Sequence, residues 1–365
     1  MKKKLLALLM AATLSAGFMM SCDSSKSDSS SDAAKIGMVT DSGTIDDKSF
    51  NQGSWEGIEK AKSELGIDDK YLQPTGTTLS DYSTKIKDLY DGGYKFIVAP
   101  GFKFETAIFE AQEKYKDAKF VLIDGTPNNG KDGDDKVTKV GDNTVAISYA
   151  EHQAGFMAGV AASLELKEGD LGFLGGMEIP AVQRFNWGFQ QGVSYANKSL
   201  GTKMTLKEEN IQYQGSFNSA EAGQQIAATM FDRGVKAVFA AAGGTGTGAI
   251  TEAKARQSKG QMVWAIGVDT DQYDEGIYAD GKSAILTSAM KKIDQTTYEL
   301  IKDFVEKDEF PGGQSLVLDA AKDCVGLPEK NPNLSEATTK TCEEVFAKIK
   351  SGEITVSAEK GNLIK

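Results

Sequence analysis

KIGMVTD (35–41) predicts a buried β-strand, and SWEGIEKAKSEL (54–65) after it predicts an amphipathic helix. The apolar residues of the second stretch recur at spacings of three and four, which places them on one helical face. DLGFLGG (170–176) begins the same alternation of strand and helix a second time. Alternating strands and helices form parallel sheets that are covered on both faces. We therefore predict an α/β chain of two doubly wound, Rossmann-like domains.

The ends of the predicted strands are where a ligand is expected, because open α/β sheets bind ligands beyond the carboxyl ends of their strands. Three of these ends have an aspartate, namely Asp41, Asp124 and Asp269, and the others have Gly or Pro turns. The further predicted strands are 96–100, 120–124, 144–149, 236–241, 262–269 and 283–289, and the further helices are 81–91, 103–116, 181–197, 219–233, 249–258, 291–307 and 335–350.

The composition excludes several classes of protein. The 365-residue chain has 52 acidic and 41 basic side chains, a formal net charge of −11, which argues against nucleic-acid binding through clustered Lys and Arg. One histidine and three cysteines exclude a His-rich metal site and a disulfide scaffold. We predict neither a metal site nor a cofactor, and we interpret His152 as a packing or surface residue. Cys324 and Cys342 either form one disulfide in an oxidising compartment or remain free thiols.

The N-terminus has the pattern of an export signal. Three lysines (2–4) precede an apolar run (5–20) that is too short to span a membrane comfortably. Cys22 follows, and then a polar tract, DSSKSDSSSD (23–32). We predict a lipoprotein signal peptide over 1–21, lipidation of Cys22, and a Ser/Asp-rich tether over 22–34. The alternative is a plain signal peptide with an incidental cysteine.

Two nucleotide-binding motifs match by letter but not by context. GIYADGKS (276–283) fits the P-loop expression, yet the segment after it resembles a strand, whereas phosphate binding needs a helix N-terminus. GTGTGA (244–249) follows a predicted strand and opens a helix, but it lies late in the second domain, whereas the dinucleotide motif occupies the first βαβ unit. We therefore do not predict an enzyme, and an exported Rossmann-like enzyme remains the weaker alternative.

The stretch GMVTDSGTIDDKSFNQGSWEGIEKA (37–61) resembles the basic membrane protein (BMP) family of substrate-binding lipoproteins, in particular the purine nucleoside receptor lipoproteins of ABC transporters. This resemblance extends in order over nearly the whole chain after the signal. The further matching motifs are GFMAGV (155–160), FLGGMEIPAVQRFNWGFQQGV (173–193), QGSFNSAEAGQQIA (214–227), FAAAGGTGTG (239–248), GVDTDQ (267–272) and LTSAMKKID (286–294).

The resemblance implies the type I periplasmic-binding-protein fold, in which three segments form a hinge between two α/β lobes. The implied N-terminal lobe is 35–149 plus 290–315, and the implied C-terminal lobe is 150–289 plus 316–365. The implied function is an extracytoplasmic, lipid-anchored receptor at the cell membrane that captures purine nucleosides by domain closure and delivers them to an ABC permease. A binding protein of the same fold for a sugar or another small solute is the main alternative.

The resemblance also implies roles for individual residues. Phe50 and Phe217 match positions that stack on opposite faces of the purine, while Asp41 and Asn51 match positions that hydrogen-bond the base. Asp124 matches a further ligand position at a strand end.

A second set of positions is implied to bind the ribose. Asp269 and Lys291 match its hydrogen-bonding pair, because a carboxylate accepts from vicinal hydroxyls while the ammonium donates and offsets the negative charge. Gly244 is implied to offer its backbone N–H to the ligand.

Overall fold

A computed structural model describes residues 33–360. Within that range the strands are β1 Lys35–Val39, β2 Asp68–Leu72, β3 Phe96–Pro100, β4 Lys119–Ile123, β5 Thr144–Tyr149, β6 Glu168–Gly175, β7 Lys203–Tyr213, β8 Val235–Ala241, β9 Trp264–Asp269, β10 Ile277–Ala279, β11 Lys282–Ser283, β12 Ile285–Lys291, β13 Gln314–Leu318 and β14 Val325–Gly326. The helices are α1 Phe50–Leu65, α2 Leu79–Asp91, α3 Glu105–Lys114, α4 Glu151–Leu166, α5 Pro180–Ser199, α6 Ala220–Asp232, α7 Gly244–Gln257, α8 Ile293–Lys307 and α9 Glu336–Lys350.

Two six-stranded sheets form the framework of the molecule. Their strand orders are β2-β1-β3-β4-β5-β13 and β7-β6-β8-β9-β12-β14, and all neighbours are parallel except β12 and β14. The central strands β3 and β8 are almost wholly buried because helices cover both sheet faces. The prediction of an α/β chain with two doubly wound domains is therefore confirmed.

Three chain segments cross between the lobes built on these sheets. Residues 149–151 join β5 to α4, residues 291–293 join β12 to α8, and residues 318–320 lead from β13 towards β14. Hydrogen bonds connect the crossings, for example from the Ala150 N–H to the Leu318 carbonyl (2.9 Å). Each crossing is a point where small changes of backbone angle can rotate one lobe against the other.

Several elements differ from the sequence predictions. We did not predict β2, an edge strand without a buried residue, because it has no apolar run. Helix α1 begins at Phe50 rather than near residue 54, because the Asp47 carboxylate accepts from the backbone N–H groups of Ser49, Asn51 and Gln52. The segment 276–283 forms the short β10–β11 hairpin, so it lacks the strand-to-helix turn of a P-loop.

Close packing of α4 on α5 brings the start of α5 to the cavity described below. A Cβ at Gly155 would lie 2.3 Å from the Phe185 carbonyl oxygen, and one at Gly188 would lie 2.0 Å from the His152 carbonyl oxygen. Glycine at both positions therefore lets the two helices approach almost backbone to backbone. Ala181, Val182 and Phe185, on the first turns of α5, line the cavity as a result.

Candidate functional site

A cavity lies between the two lobes, at the carboxyl ends of strands from both sheets. Its empty volume is about 580 Å³, which includes space open to solvent. Seven of the eight predicted ligand residues line it together: Asp41, Phe50, Asn51, Asp124, Phe217, Asp269 and Lys291. Gly244 is not among the lining residues, although its neighbour Gly243 is.

Lys291 is the centre of charge in the cavity, and it is only 3% exposed. Its Nζ lies 2.5 Å from Asp124 Oδ2 and 3.4 Å from Asp269 Oδ1. Burial opposes its positive charge, but the carboxylates of Asp124, Asp269 and Glu151 outweigh burial and raise the Lys291 pKa above its ordinary value. Lys291 therefore remains protonated and holds a carboxylate from each lobe.

Asp124 and Asp269 occupy equivalent places, directly after β4 and at the end of β9. Both have left-handed backbone conformations, with φ of 56° and 66°, which are uncommon for residues other than glycine. Among the residues that the structure describes, the Oδ1 atom of each is buried without a hydrogen-bond partner, although Asp269 Oδ1 has the Lys291 charge nearby. Buried acceptors without donors are unfavourable, so these two oxygens are suited to hydroxyl donors from a bound molecule.

The two predicted aromatic residues come from different lobes. Phe50 is the first residue of α1, and the Lys291 Nζ lies 4.7 Å from its ring centroid, within cation–π range. The ring of Phe217 lies against Gly176, where an added Cβ would be 2.3 Å from Phe217 Cδ1. The Phe217 carbonyl accepts from the Thr245 N–H (2.9 Å), which holds the loop against the start of α7. Both rings are thus partly buried and face the same cavity.

Asn51 uses its amide within the protein. Its Nδ2 donates to Asp41 Oδ1 (2.9 Å) and Asp47 Oδ2 (2.8 Å), while its Oδ1 accepts from the Asp41 N–H (3.1 Å). Asp41 Oδ1 also accepts from the Gly43 N–H (2.7 Å), and Asp41 Oδ2 takes part in none of these bonds. The geometry makes Asn51 an orienting residue for Asp41, whose second oxygen can accept from a ligand.

Sequence reasoning missed several polar residues at or beside the site. Burial raises the pKa of Asp47, which lines the cavity, to about 6, and its place in the acidic turn before Phe50 was the available signal. Glu151 is fully buried at the first crossing, where its Oε2 accepts from Arg184 Nε at 2.6 Å. Burial and the nearby Asp124 raise the Glu151 pKa to about 7, against the opposing effect of Lys291 and Arg184. No local pattern marks Glu151, because its partners lie on other elements.

The lobes also contact each other beside the cavity. Ser49 Oγ, from the turn before α1, donates to Asp269 Oδ2 at 2.5 Å. The Lys48 carbonyl accepts from Gln272 Nε2 (2.7 Å), and Asn218 Nδ2 donates to the Ser42 carbonyl. These bonds join the two walls of the cleft and describe a closed arrangement.

His152 and the three cysteines are the other residues that the sequence singled out. His152 is half-buried, and burial followed by the Arg184 charge lowers its pKa to about 4, which keeps the ring neutral at physiological pH. Cys324 and Cys342 are both free thiols. Cys22 lies outside the described residues. In the range 33–360, no group of His, Cys, Asp and Glu side chains is arranged as a metal site, and none of the helices is long and apolar enough to cross a membrane.

Comparisons with known proteins identify the family of the chain. The family model for Bmp, an ABC transporter substrate-binding protein that is PnrA-like, matches residues 34–360. The chain is 35% identical to a CD4+ T-cell-stimulating antigen of Listeria innocua, over 98% of this chain and 99% of that protein. It is 30% identical to the ABC transporter nucleoside-binding protein BmpA of Lactococcus lactis, over 98% of this chain and 100% of that protein.

The fold is shared with solved solute-binding proteins. One from the ABC transporter system of Aeropyrum pernix matches with a TM-score of 0.74 at 24% identity, over 90% of this chain and 94% of that chain. At this identity the likeness concerns the fold alone. It confirms the predicted type I periplasmic-binding-protein fold.

Proposed function

The chain belongs to the Bmp family of PnrA-like ABC transporter substrate-binding proteins, and from that premise we propose that its ligand is a purine nucleoside. Its relatives are substrate-binding proteins of ABC transporters and not enzymes. Proteins of this class are extracytoplasmic, bind small ligands and partner with permeases. Beyond these properties of the class, we propose the ligand, the roles of the lining residues, the membrane anchor and delivery of the ligand to the permease.

One observation supports a nucleoside most directly: an apolar part and an acceptor-rich part share one cavity. Phe50 and Phe217 offer rings from different lobes, which suits a flat base with two apolar faces. Asp124, Asp269 and Lys291 gather where two carboxylate oxygens lack donors, which suits the vicinal hydroxyls of a ribose. A free sugar carries hydroxyl groups around its ring and has no flat aromatic face, so the two rings favour a nucleoside over a sugar.

The base edge faces Asp41 in this proposal. The carboxylate accepts from an N–H of the purine, and Asn51 keeps it oriented. Gly244 remains a proposed backbone donor from the start of α7, next to the lining residue Gly243. Closure then places the base between the two rings, a state that the bound ligand selects over the open one.

Titration calorimetry tests the ligand class. The protein is unfolded and refolded to remove any retained ligand, and inosine, guanosine, adenosine and D-ribose are added separately. We expect binding of at least one nucleoside and much weaker binding of ribose. Refolded protein that binds none of the three nucleosides would contradict the proposal.

Two single variants test the assigned pocket. Phe50→Ala removes one stacking ring, and Asp269→Ala removes the carboxylate assigned to the ribose. We expect each to weaken nucleoside affinity roughly tenfold or more. If neither does, the pocket assignment is wrong. A Phe50→Ala/Phe217→Ala double variant with unchanged affinity would favour a sugar or another small solute.

The anchor and the lobe limits complete the proposal. We propose removal of residues 1–21, lipidation of Cys22, attachment to the extracytoplasmic face of the cell membrane through the tether 22–34, and two lobes divided at the three crossings. The limits first implied at 290 and 315 move to the crossings 291–293 and 318–320, because residues 290–291 belong to β12 of the second sheet and residues 316–318 belong to β13 of the first. Growth with a labelled fatty acid tests the lipid. Label in the wild-type chain but not in Cys22→Ser is the expected result, and an unlabelled wild-type chain refutes lipidation.

A further inference from the structure

Two turns from opposite lobes meet beside the cavity. The first, 47–49, precedes Phe50, and the second, 269–272, follows β9. The Lys48 carbonyl accepts from Gln272 Nε2 at 2.7 Å and from Thr270 Oγ1 at 3.2 Å. One backbone oxygen of the first lobe therefore receives two donors from the second lobe.

Gln272 forms hydrogen bonds to both lobes. Its side chain is buried, and the residue is 3% exposed. Its Oε1 accepts from the Val268 N–H (3.0 Å), one residue before Asp269, while its Nε2 reaches the other lobe. An added Cβ on Gly267 would lie 2.7 Å from this Oε1, so the amide rests directly on the β9 backbone. Gln272 does not line the cavity.

The turn that receives this amide is hydrogen-bonded to α1 and has an uncommon backbone conformation. Lys48 has φ of 59°, a left-handed value that few residues other than glycine adopt. The Asp47 carboxylate accepts from the N–H groups of Ser49, Asn51 and Gln52, which ties the turn to α1. Movement of the Lys48 carbonyl therefore means movement of α1 and of Phe50 at its start.

We propose that Gln272 is a positioning residue that latches the closed cleft without touching the ligand. Its amide joins the backbone that supports Phe50 to the backbone that supports Asp269, so both ligand groups are placed correctly only when the lobes close. Opening leaves the Gln272 amide and the Lys48 carbonyl to water. The latch rests on the proposed function insofar as a nucleoside is used to measure it.

The variant Gln272→Glu distinguishes two roles of Gln272, namely a latch between the lobes and support of β9 within one lobe. At alkaline pH, where the acid is ionised, the carboxylate keeps an acceptor for the Val268 N–H but has no hydrogen to donate to the Lys48 carbonyl. We expect inosine affinity to fall roughly tenfold to a hundredfold, because a buried donor is lost, mainly through faster dissociation in stopped-flow measurements. Dissociation at the wild-type rate would overturn the latch, since local support alone predicts that result.

Two further variants keep the test decisive. Thr270→Val removes the second donor to the same carbonyl without adding charge, so we expect dissociation to be faster by roughly a few-fold. If Gln272→Glu does not fold, this variant decides, and an unchanged rate overturns the latch. Glu275→Gln is the matched control, because it removes a partly exposed ion pair with Lys48 Nζ (3.4 Å), a contact between the lobes that does not involve Gln272 or the Lys48 carbonyl. We expect little change from it.

A measurement without ligand separates failure of the latch from failure of the nucleoside assignment. Wild-type protein that binds no nucleoside contradicts the proposed function alone. Pulsed electron–electron double resonance, which measures the distance between spin labels on the two lobes, then tests the latch in the ligand-free chain. A smaller closed fraction in Gln272→Glu than in wild type supports it, and equal fractions overturn it.

Discussion

Replacing Glu151 with glutamine removes a buried ionisable group from the first crossing between the lobes. Glu151 is fully buried, and its Oε1 has no hydrogen-bond partner, while its Oε2 accepts from Arg184. Glutamine has nearly the same shape and keeps an oxygen that can accept from Arg184. The substitution therefore removes the titration of this group and keeps its shape.

The size and sign of the effect follow from the pKa of Glu151, which rises from 4.5 to about 7 on folding. Because the folded chain favours the protonated acid, its stabilising contribution is fully present below pH 4.5 and is lost as the pH rises through 7. At about 1.4 kcal/mol per pKa unit, ionisation above pH 7 costs about 3 kcal/mol. Glutamine does not ionise, so relative to wild type the variant should gain roughly 2–3 kcal/mol of unfolding free energy between about pH 5 and about pH 8.

Urea unfolding of ligand-free protein, followed by circular dichroism at several pH values, measures this gain. The raised pKa of Asp47 is common to both proteins, so its effect cancels in the difference. Glu59→Gln, an exposed position on α1, is the matched control for the loss of a carboxylate. A difference between Glu151→Gln and wild type that is equal at about pH 5 and about pH 8 would refute the reasoning.

Two further predictions concern groups that line or support the cavity. Lys291→Met leaves the carboxylates of Asp124 and Asp269 buried without their cation, so unfolding free energy should fall by roughly 3–5 kcal/mol. Urea unfolding checks this, and a loss below about 1 kcal/mol would contradict the assigned ion cluster. Gly176→Ala places a Cβ 2.3 Å from the Phe217 ring, so the ring must shift, and nucleoside affinity should fall roughly tenfold while the melting temperature changes little. Calorimetry with Ser216→Ala as control checks it, and unchanged affinity would remove Phe217 from the ligand contacts.

Local sequence patterns predicted most of the strands and helices, because the spacing of apolar residues reflects which side chains are buried. Buried strands such as β3 and β8 were predicted within a residue or two, whereas the exposed edge strand β2 has no such pattern and was missed. The start of α1 was placed too late, since the carboxylate of Asp47 and not an apolar spacing sets it.

Part of the candidate site was predictable for a related reason. Asp41 and Asp124 follow strands of the first sheet, and parallel topology brings strand ends to one edge of a sheet, so their proximity needed only the fold class. Asp269 ends a strand of the second sheet, so its approach to them depends on how the two lobes pack. The resemblance to a known family added Phe50, Asn51, Phe217 and Lys291, which also line the cavity. The predicted residue Gly244 does not line the cavity, whereas its neighbour Gly243 does, and this difference depends on how the turn before α7 is folded.

Sequence determined which residues end the strands and which helices follow them, because those properties depend on neighbours in the chain. Tertiary structure alone decided how their polar atoms are used. Glu151 lies beside charges from other elements, and Gln272 donates to the carbonyl of Lys48, which is 224 residues away along the chain. Such partners are set by the packing of two lobes, and a hydrogen bond between atoms distant in sequence has no local pattern that could reveal it.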